Sequence, residues 1–135
     1  MRRALSRGQG LVEAGIVIAL IVTVTMGIIE FGRAFMITNM ITHAARDGAR
    51  MAAVVPVTGR DAQGTITDTA SIISQVKAEI ANVVPTAGLS VAVTQPNTTP
   101  PTVQVTVTGN VNYIFNLVGT TFAVSRTATF RDEGR

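Results

Sequence analysis

Between residues 14 and 29 the chain carries no charged side chain, and the uncharged stretch reaches back to residue 9 with Glu13 as its one interruption. The apolar side chains recur on every side of a helical projection. A helix lying on a protein surface would instead keep one polar face. About 20 apolar residues carry a helix across the ~30 Å core of a bilayer, so a transmembrane span is predicted over about residues 11–30. The helical pattern then runs on through "FGRAFMITNMITHAARDGARMAAVV", with no proline before Pro56. One helix is expected over about residues 11–55, on the order of 65–70 Å long. That is about twice the bilayer core, so its distal half must pack on something outside the lipid.

Beyond Pro56 the pattern changes. "PVTGRDAQGTITD" is polar and glycine-punctuated and predicts a loop. In "TASIISQVKAEIANVV" the apolar residues Ile72, Ile73, Val76, Ile80, Val83 and Val84 follow a helical period, with Asp68 or Thr69 as N-cap and Pro85 as the stop. Period-two alternation follows. Leu89, Val91 and Val93 share one face, then Val103, Val105, Val107, Val111 and Tyr113 after the turn "QPNTTPP". Phe122, Val124, Ala128 and Phe130 alternate again, with Arg126 as the exception on that face. The predicted class is α+β: a long N-terminal transmembrane helix continuing into a small domain with a second helix and a three-stranded antiparallel meander. One face of the sheet should lie on the second helix and the distal half of the first. The other face is Thr- and Asn-rich, suited either to solubility or to docking of partners.

Charge gives the span a direction. The net charge is +3, but Arg2, Arg3 and Arg7 precede the span, and without them eight basic residues face eight acidic ones. The remainder has no basic run with interleaved aromatics, which sets nucleic acid aside as a partner. Arginines before the span keep the N-terminus cytoplasmic and send the C-terminal part across the membrane. A secretory signal peptide starts in the same way, but its apolar region is shorter and closes on a small-x-small site that is not evident here. The chain has no cysteine, so disulfides and thiol chemistry are excluded.

Small residues recur every four positions. Gly15, Ala19, Thr23 and Gly27 form one stripe along the span. Beyond it Met40, Ala44, Gly48 and Ala52, and Ile41, Ala45, Ala49 and Ala53, form two more. Such stripes let another helix approach closely, although Gly and Ala are common in membrane helices in any case. Glu30 and Arg33, three apart, can pair on one helix face. They form either an interfacial ion pair or half of an intersubunit pair in which Glu30 meets Arg33, Arg46 or Arg50 of a neighbour. Arg46 and Arg50 lie one turn apart as like charges, with Asp47 the nearest acceptor.

Leading arginines, Gly8, a glutamate five residues later and then an apolar helix resemble the class III signal of type IV-type pilins. The wider stretch, "RGQGLVEAGIVIALIVTVTMGIIEFGRAF" followed by "NMITHAARDGARMAAV", resembles the TadE-like family: minor pilins or pseudopilins of the tight-adherence, Flp-type pilus system. The matching residues are Gly8, Val12 and Glu13, then Glu30 through Arg33, then Ala44, Ala45, Arg46, Gly48, Ala49 and Arg50. The chain departs from the family at Ala14, where an aromatic residue is usual. The resemblance implies a leader over residues 1–8, cut between Gly8 and Gln9 by a membrane prepilin peptidase. A long helix would follow over 9–55, and an exported domain over 56–135. It implies other pilins and minor pilins, and an inner-membrane assembly platform, as partners beside the lipid bilayer. Glu13, about one turn from the new amine of Gln9, would pair with a neighbour's amine and set axial register. Alternatively it snorkels to the cytoplasmic interface.

No residue set points to catalysis or to a cofactor. His43 is the single histidine and lies on the long helix; no nucleophile–base–orienter set and no metal-ligand spacing can be assembled. The expected function is assembly, as a single-pass protein of the cytoplasmic membrane that enters a pilus or its priming complex. The alternative is an uncleaved, membrane-anchored binding module.

Overall fold

The computed structural model describes residues 2–85, 88–96, 98–117 and 119–134, and of residues 2–7 only the backbone. The side chains of Arg2, Arg3 and Arg7 therefore lie outside the described residues, as do Asn97 in the predicted turn and Val118 in the second strand connection. The order of elements is α1 (Arg2–Ala53), a 3₁₀ turn (Val57–Gly59), α2 (Thr69–Ala81), β1 (Leu89–Thr94), β2 (Thr102–Asn112) and β3 (Thr121–Arg131).

α1 begins at Arg2, ahead of the expected start at about residue 11, because nothing in "RALSRGQG" breaks a helix. It ends at Ala53, where the chain must leave the α region ahead of Pro56. Its 52 residues make a rod of about 78 Å. α2 starts at the expected cap: the Asp68 carboxylate accepts the Ser71 N–H at 3.0 Å. The three strands form an antiparallel sheet in the order β1-β2-β3.

The core lies between this sheet and the two helices. Ile37, Ile41, Ala44, Ala45, Ala49 and Ala52 of α1, Ile72, Val76 and Ile80 of α2, and Val103, Val105 and Val107 of β2 are buried together. The α1 residues recur at three- and four-residue steps, so one face of the rod is covered. Small side chains there bring the neighbours close. A Cβ on Gly48 would collide with a methyl of Val76 and lie 3.5 Å from Val105. A stiff β-branched neighbour has little freedom to retreat, so only glycine fits. Arg126, on the nominally inward face opposite Val107, is exposed, because β3 is an edge strand and its long side chain passes the edge into solvent. Tyr113 falls just outside β2 and packs its ring against Phe122, centroids 5.2 Å apart.

The end of α1 is closed by a buried polar clasp. Arg60 donates to both oxygens of Asp132, at 2.9 and 2.7 Å, with both side chains almost wholly buried. Arg60 also donates to the carbonyls of Val55 and Gly64, each at 3.0 Å, and so ties the chain just after α1 to the loop. Gln95 donates to Asp132 at 3.1 Å while its oxygen accepts from Ile66 N–H at 2.8 Å. The clasp joins the loop after α1, the end of β1 and the chain after β3. Burial alone would push the Asp132 carboxyl up. The hydrogen bonds from Arg60 and Gln95, the Arg60 charge and the Gly134 N–H outweigh it and hold the carboxyl below its ordinary value of 3.8.

A carboxyl held low in the folded state adds stability that is complete above its unfolded value and is lost as pH falls through the folded one. The full-length protein in detergent should therefore lose stability below about pH 4, and Asp132→Asn should flatten that acid limb. At neutral pH the same substitution leaves Arg60 buried without its counter-charge and should cost about 3–5 kcal/mol. Denaturant unfolding across pH checks both.

Candidate functional site

The two halves of α1 have opposite surroundings. The most apolar stretch is long enough to cross a membrane, and none of it is buried by the rest of the chain. Gly15, Ala19 and Thr23 are exposed and Gly27 is half-buried. A Cβ at Gly15 or Gly27 would meet nothing within 4 Å. Thr23 donates its hydroxyl to the Ala19 carbonyl at 2.9 Å, and Thr25 to that of Ile21 at 2.8 Å. Their polarity is thus satisfied within the helix, as an apolar medium requires. Glu13 is exposed, with no hydrogen-bond or ion-pair partner among the described residues. Gly8 and Gln9 are also exposed, on the same continuous helix.

Ala44, Ala45, Gly48 and Ala49 behave differently. All four are buried by the chain's own domain; at Gly48 the close neighbours are Val76 of α2 and Val105 of β2. Arg46 and Arg50 point the other way, exposed on the uncovered side of α1, and neither has a side-chain partner among the described residues. His43 lies on that side too. No His/Asp/Glu group arranged to hold a metal occurs among the described residues.

Glu30 marks the change from one half to the other. The residue is 6% exposed. Its two carboxylate oxygens accept the backbone N–H groups of Ile114 and Phe115, at 2.8 and 2.9 Å. Arg33, 3.9 Å from Glu30, donates to the Asn112 carbonyl at 2.8 Å. The sequence suggests an interfacial ion pair or an intersubunit pair for these residues. The structure gives them a further task, fastening the β2–β3 connection to α1. Two forked acceptors match two successive N–H groups, and charge-assisted bonds of this kind are stronger than neutral ones. Sequence reasoning could not find the partners. They lie 84 and 85 positions away, and backbone N–H groups leave no mark in a residue pattern. The Arg60–Asp132 pair, 72 positions apart, was hidden for the same reason.

A model of the TadE-like protein family matches residues 8–50. Over those residues the chain is similar to TadE-like proteins. No curated protein and no solved structure matches the chain. The match begins at Gly8 and takes in Glu13, the uncovered span, Glu30, Arg33 and the small-residue face through Arg50. It connects the chain with tight-adherence pili, and one apolar N-terminal helix fits a single-pass membrane protein of such a system. The TadE-like segment thus contains both kinds of helix surface, while the elements that cover its second half lie outside the matched residues.

Replacing Glu30 with Gln keeps one acceptor oxygen and removes the charge. A charge-assisted hydrogen bond contributes about 1.5–3 kcal/mol, so the amides of Ile114 and Phe115 should exchange roughly 10- to 100-fold faster in Glu30→Gln. Amides in the centre of β2 should be unchanged. Hydrogen exchange with fragment-level mass spectrometry reads both.

Proposed function

We propose that the chain is a minor pilin or pseudopilin of a tight-adherence pilus, cleaved between Gly8 and Gln9 and assembled through the N-terminal half of α1. The observation that carries this reading is the division of α1: within the TadE-like segment, one half is covered by its own domain and the other is uncovered on all sides. A mere tether needs no stripe of small residues along its span, and no carboxylate where it enters the lipid. Charged groups within membrane segments are costly and are commonly kept for a partner. Cleavage after Gly8 places a new amine on Gln9, four residues from Glu13 and about 6 Å along the axis. In a bundle of staggered helices that amine neutralises the Glu13 carboxylate of a neighbour and sets their axial offset. The arginines ahead of the span hold the N-terminus in the cytoplasm, so residues 56–135 are exported. The partners are a prepilin peptidase, sister pilins and an inner-membrane platform.

The reading is tested on protein recovered from a host with an active prepilin peptidase. The expected N-terminal residue is Gln9. Gly8→Val should leave the full-length chain, whereas Glu13→Gln should be processed but poorly recovered in pilus complexes. Mass spectrometry and co-purification measure these outcomes. An intact N-terminus in such a host would favour an uncleaved anchor instead.

A further inference from the structure

The connection between β2 and β3 runs past Glu30, where the apolar run of α1 ends. β2 is antiparallel to α1: its start lies near the Ala53 end, where Glu133 N–H bonds the Ala53 carbonyl and Asp132 N–H bonds the Pro101 carbonyl, at 3.1 and 2.9 Å. Its last residue, Asn112, meets Arg33. The tip of the hairpin is therefore the part of the domain nearest the span. It is closed by Tyr113 N–H on the Thr120 carbonyl at 3.0 Å and turned at Asn116, whose φ of 51° is one that Asn tolerates.

The tip is apolar and uncovered. Ile114 is 54% exposed, Phe115 37% and Leu117 44%. No charged residue occurs anywhere from position 109 to position 125. Scattered exposed apolar side chains are ordinary, but these are not scattered. Outside α1, the large exposed apolar side chains among the described residues fall at two places: this tip, and Val54 and Val57 at the opposite end of the domain. The tip is pinned by two hydrogen bonds to the residue that bounds the span, and Phe31 beside it is 75% exposed.

We propose that the tip after β2, residues 113–117, is a second membrane contact, which lays Ile114, Phe115 and Leu117 into the interfacial layer of the leaflet where α1 leaves the bilayer. The occupant of this surface is lipid, because the surface is continuous with the apolar helix segment that is long enough to cross a membrane and that the chain leaves uncovered. The contact rests on residues 11–30 spanning the bilayer. It does not rest on cleavage or on pilus assembly. Aromatic and apolar side chains beside a span settle at that depth, and the buried Glu30 carboxylate satisfies the N–H groups of Ile114 and Phe115, which water reaches poorly there. A single helix is free to rotate and tilt under its domain. A second contact, displaced from the helix axis, fixes how the sheet is presented above the bilayer.

The chain contains no tryptophan, so single tryptophans report their sites without background. Leu117→Trp, Val57→Trp and Ile21→Trp are each placed in the full chain, as probes of the loop, of the far end of the domain and of the span. The protein is reconstituted at high dilution into phosphatidylethanolamine/phosphatidylglycerol vesicles bearing nitroxide groups at shallow or deep acyl positions. Fluorescence of the loop probe should be quenched by shallow nitroxides at least about twofold more than that of the far-end probe, and the span probe should be quenched by deep ones. If the span probe is quenched while the loop probe is as unaffected as the far-end probe, the loop contact is wrong and the span stands. If the span probe escapes quenching, the span fails and takes the contact with it. A shielded loop probe that no lipid quencher reaches, and that is exposed again on further dilution, would assign the surface to a second copy of the chain and overturn the proposal.

Discussion

One helix has to satisfy two solvents. In lipid a backbone must hydrogen-bond to itself, so a single span has to be helical, and α1 continues that geometry without a break into a region where lipid no longer covers it. There the rod has to be covered by protein. The rest of the chain supplies the cover: α2 and the sheet wrap the inner face from Ile37 to Ala52, leaving the opposite face to water. The domain is built around the emerging half of the helix, and the helix is part of its core.

The cover is fastened at both ends by polar groups. From Glu30 to Ala53 the helix rises about 35 Å, and the 11 residues of β2 extend over about 36 Å. The hairpin therefore reaches from the clasp of Arg60 and Asp132 at one end to the forked carboxylate of Glu30 at the other. Between them the contact is almost wholly apolar, with Val103, Val105 and Val107 fully buried. Hydrophobic packing draws the layers together but lacks direction. The two clamps specify where along the rod the hairpin sits. In the reading proposed above, where residues 11–30 span the bilayer, that placement would also set the height of the domain above the membrane.

Much of this could be read from periodicity. The all-round apolar run, the 3.6-residue stripe of α2 and the period-two alternation of β2 are local signals, and each marks its element; only the start of α1 lies well ahead of its expected place. The small residues at 44, 45, 48 and 49 were legible as a close-packing face, but not which helix would come close, since a stripe does not name its partner. The cover comes from the same chain, with Val76 of α2 and Val105 of β2 against Gly48. The clamps were not legible. Arg60 sits in what reads as an ordinary polar loop and Asp132 in what reads as a charged tail; only the fold brings them together. The uncovered span, with Glu13 and its small-residue stripe, has no intramolecular partner among the described residues, and its meaning comes from the TadE-like match and from the cost of leaving such groups idle in lipid.

The central claim is that the two halves of α1 face different partners: other chains along the span, its own domain beyond Glu30. Because the chain has no cysteine, single cysteines can test it by oxidative cross-linking in native membranes. With two single-cysteine variants produced together, Gly15→Cys with Ala19→Cys, and Ala19→Cys with Thr23→Cys, pairs offset by the four residues between Gln9 and Glu13, should form intermolecular disulfides, while Ala45→Cys with Ala49→Cys should form none. Equal cross-linking from Ala45→Cys, or none from any position in the span, would contradict the account.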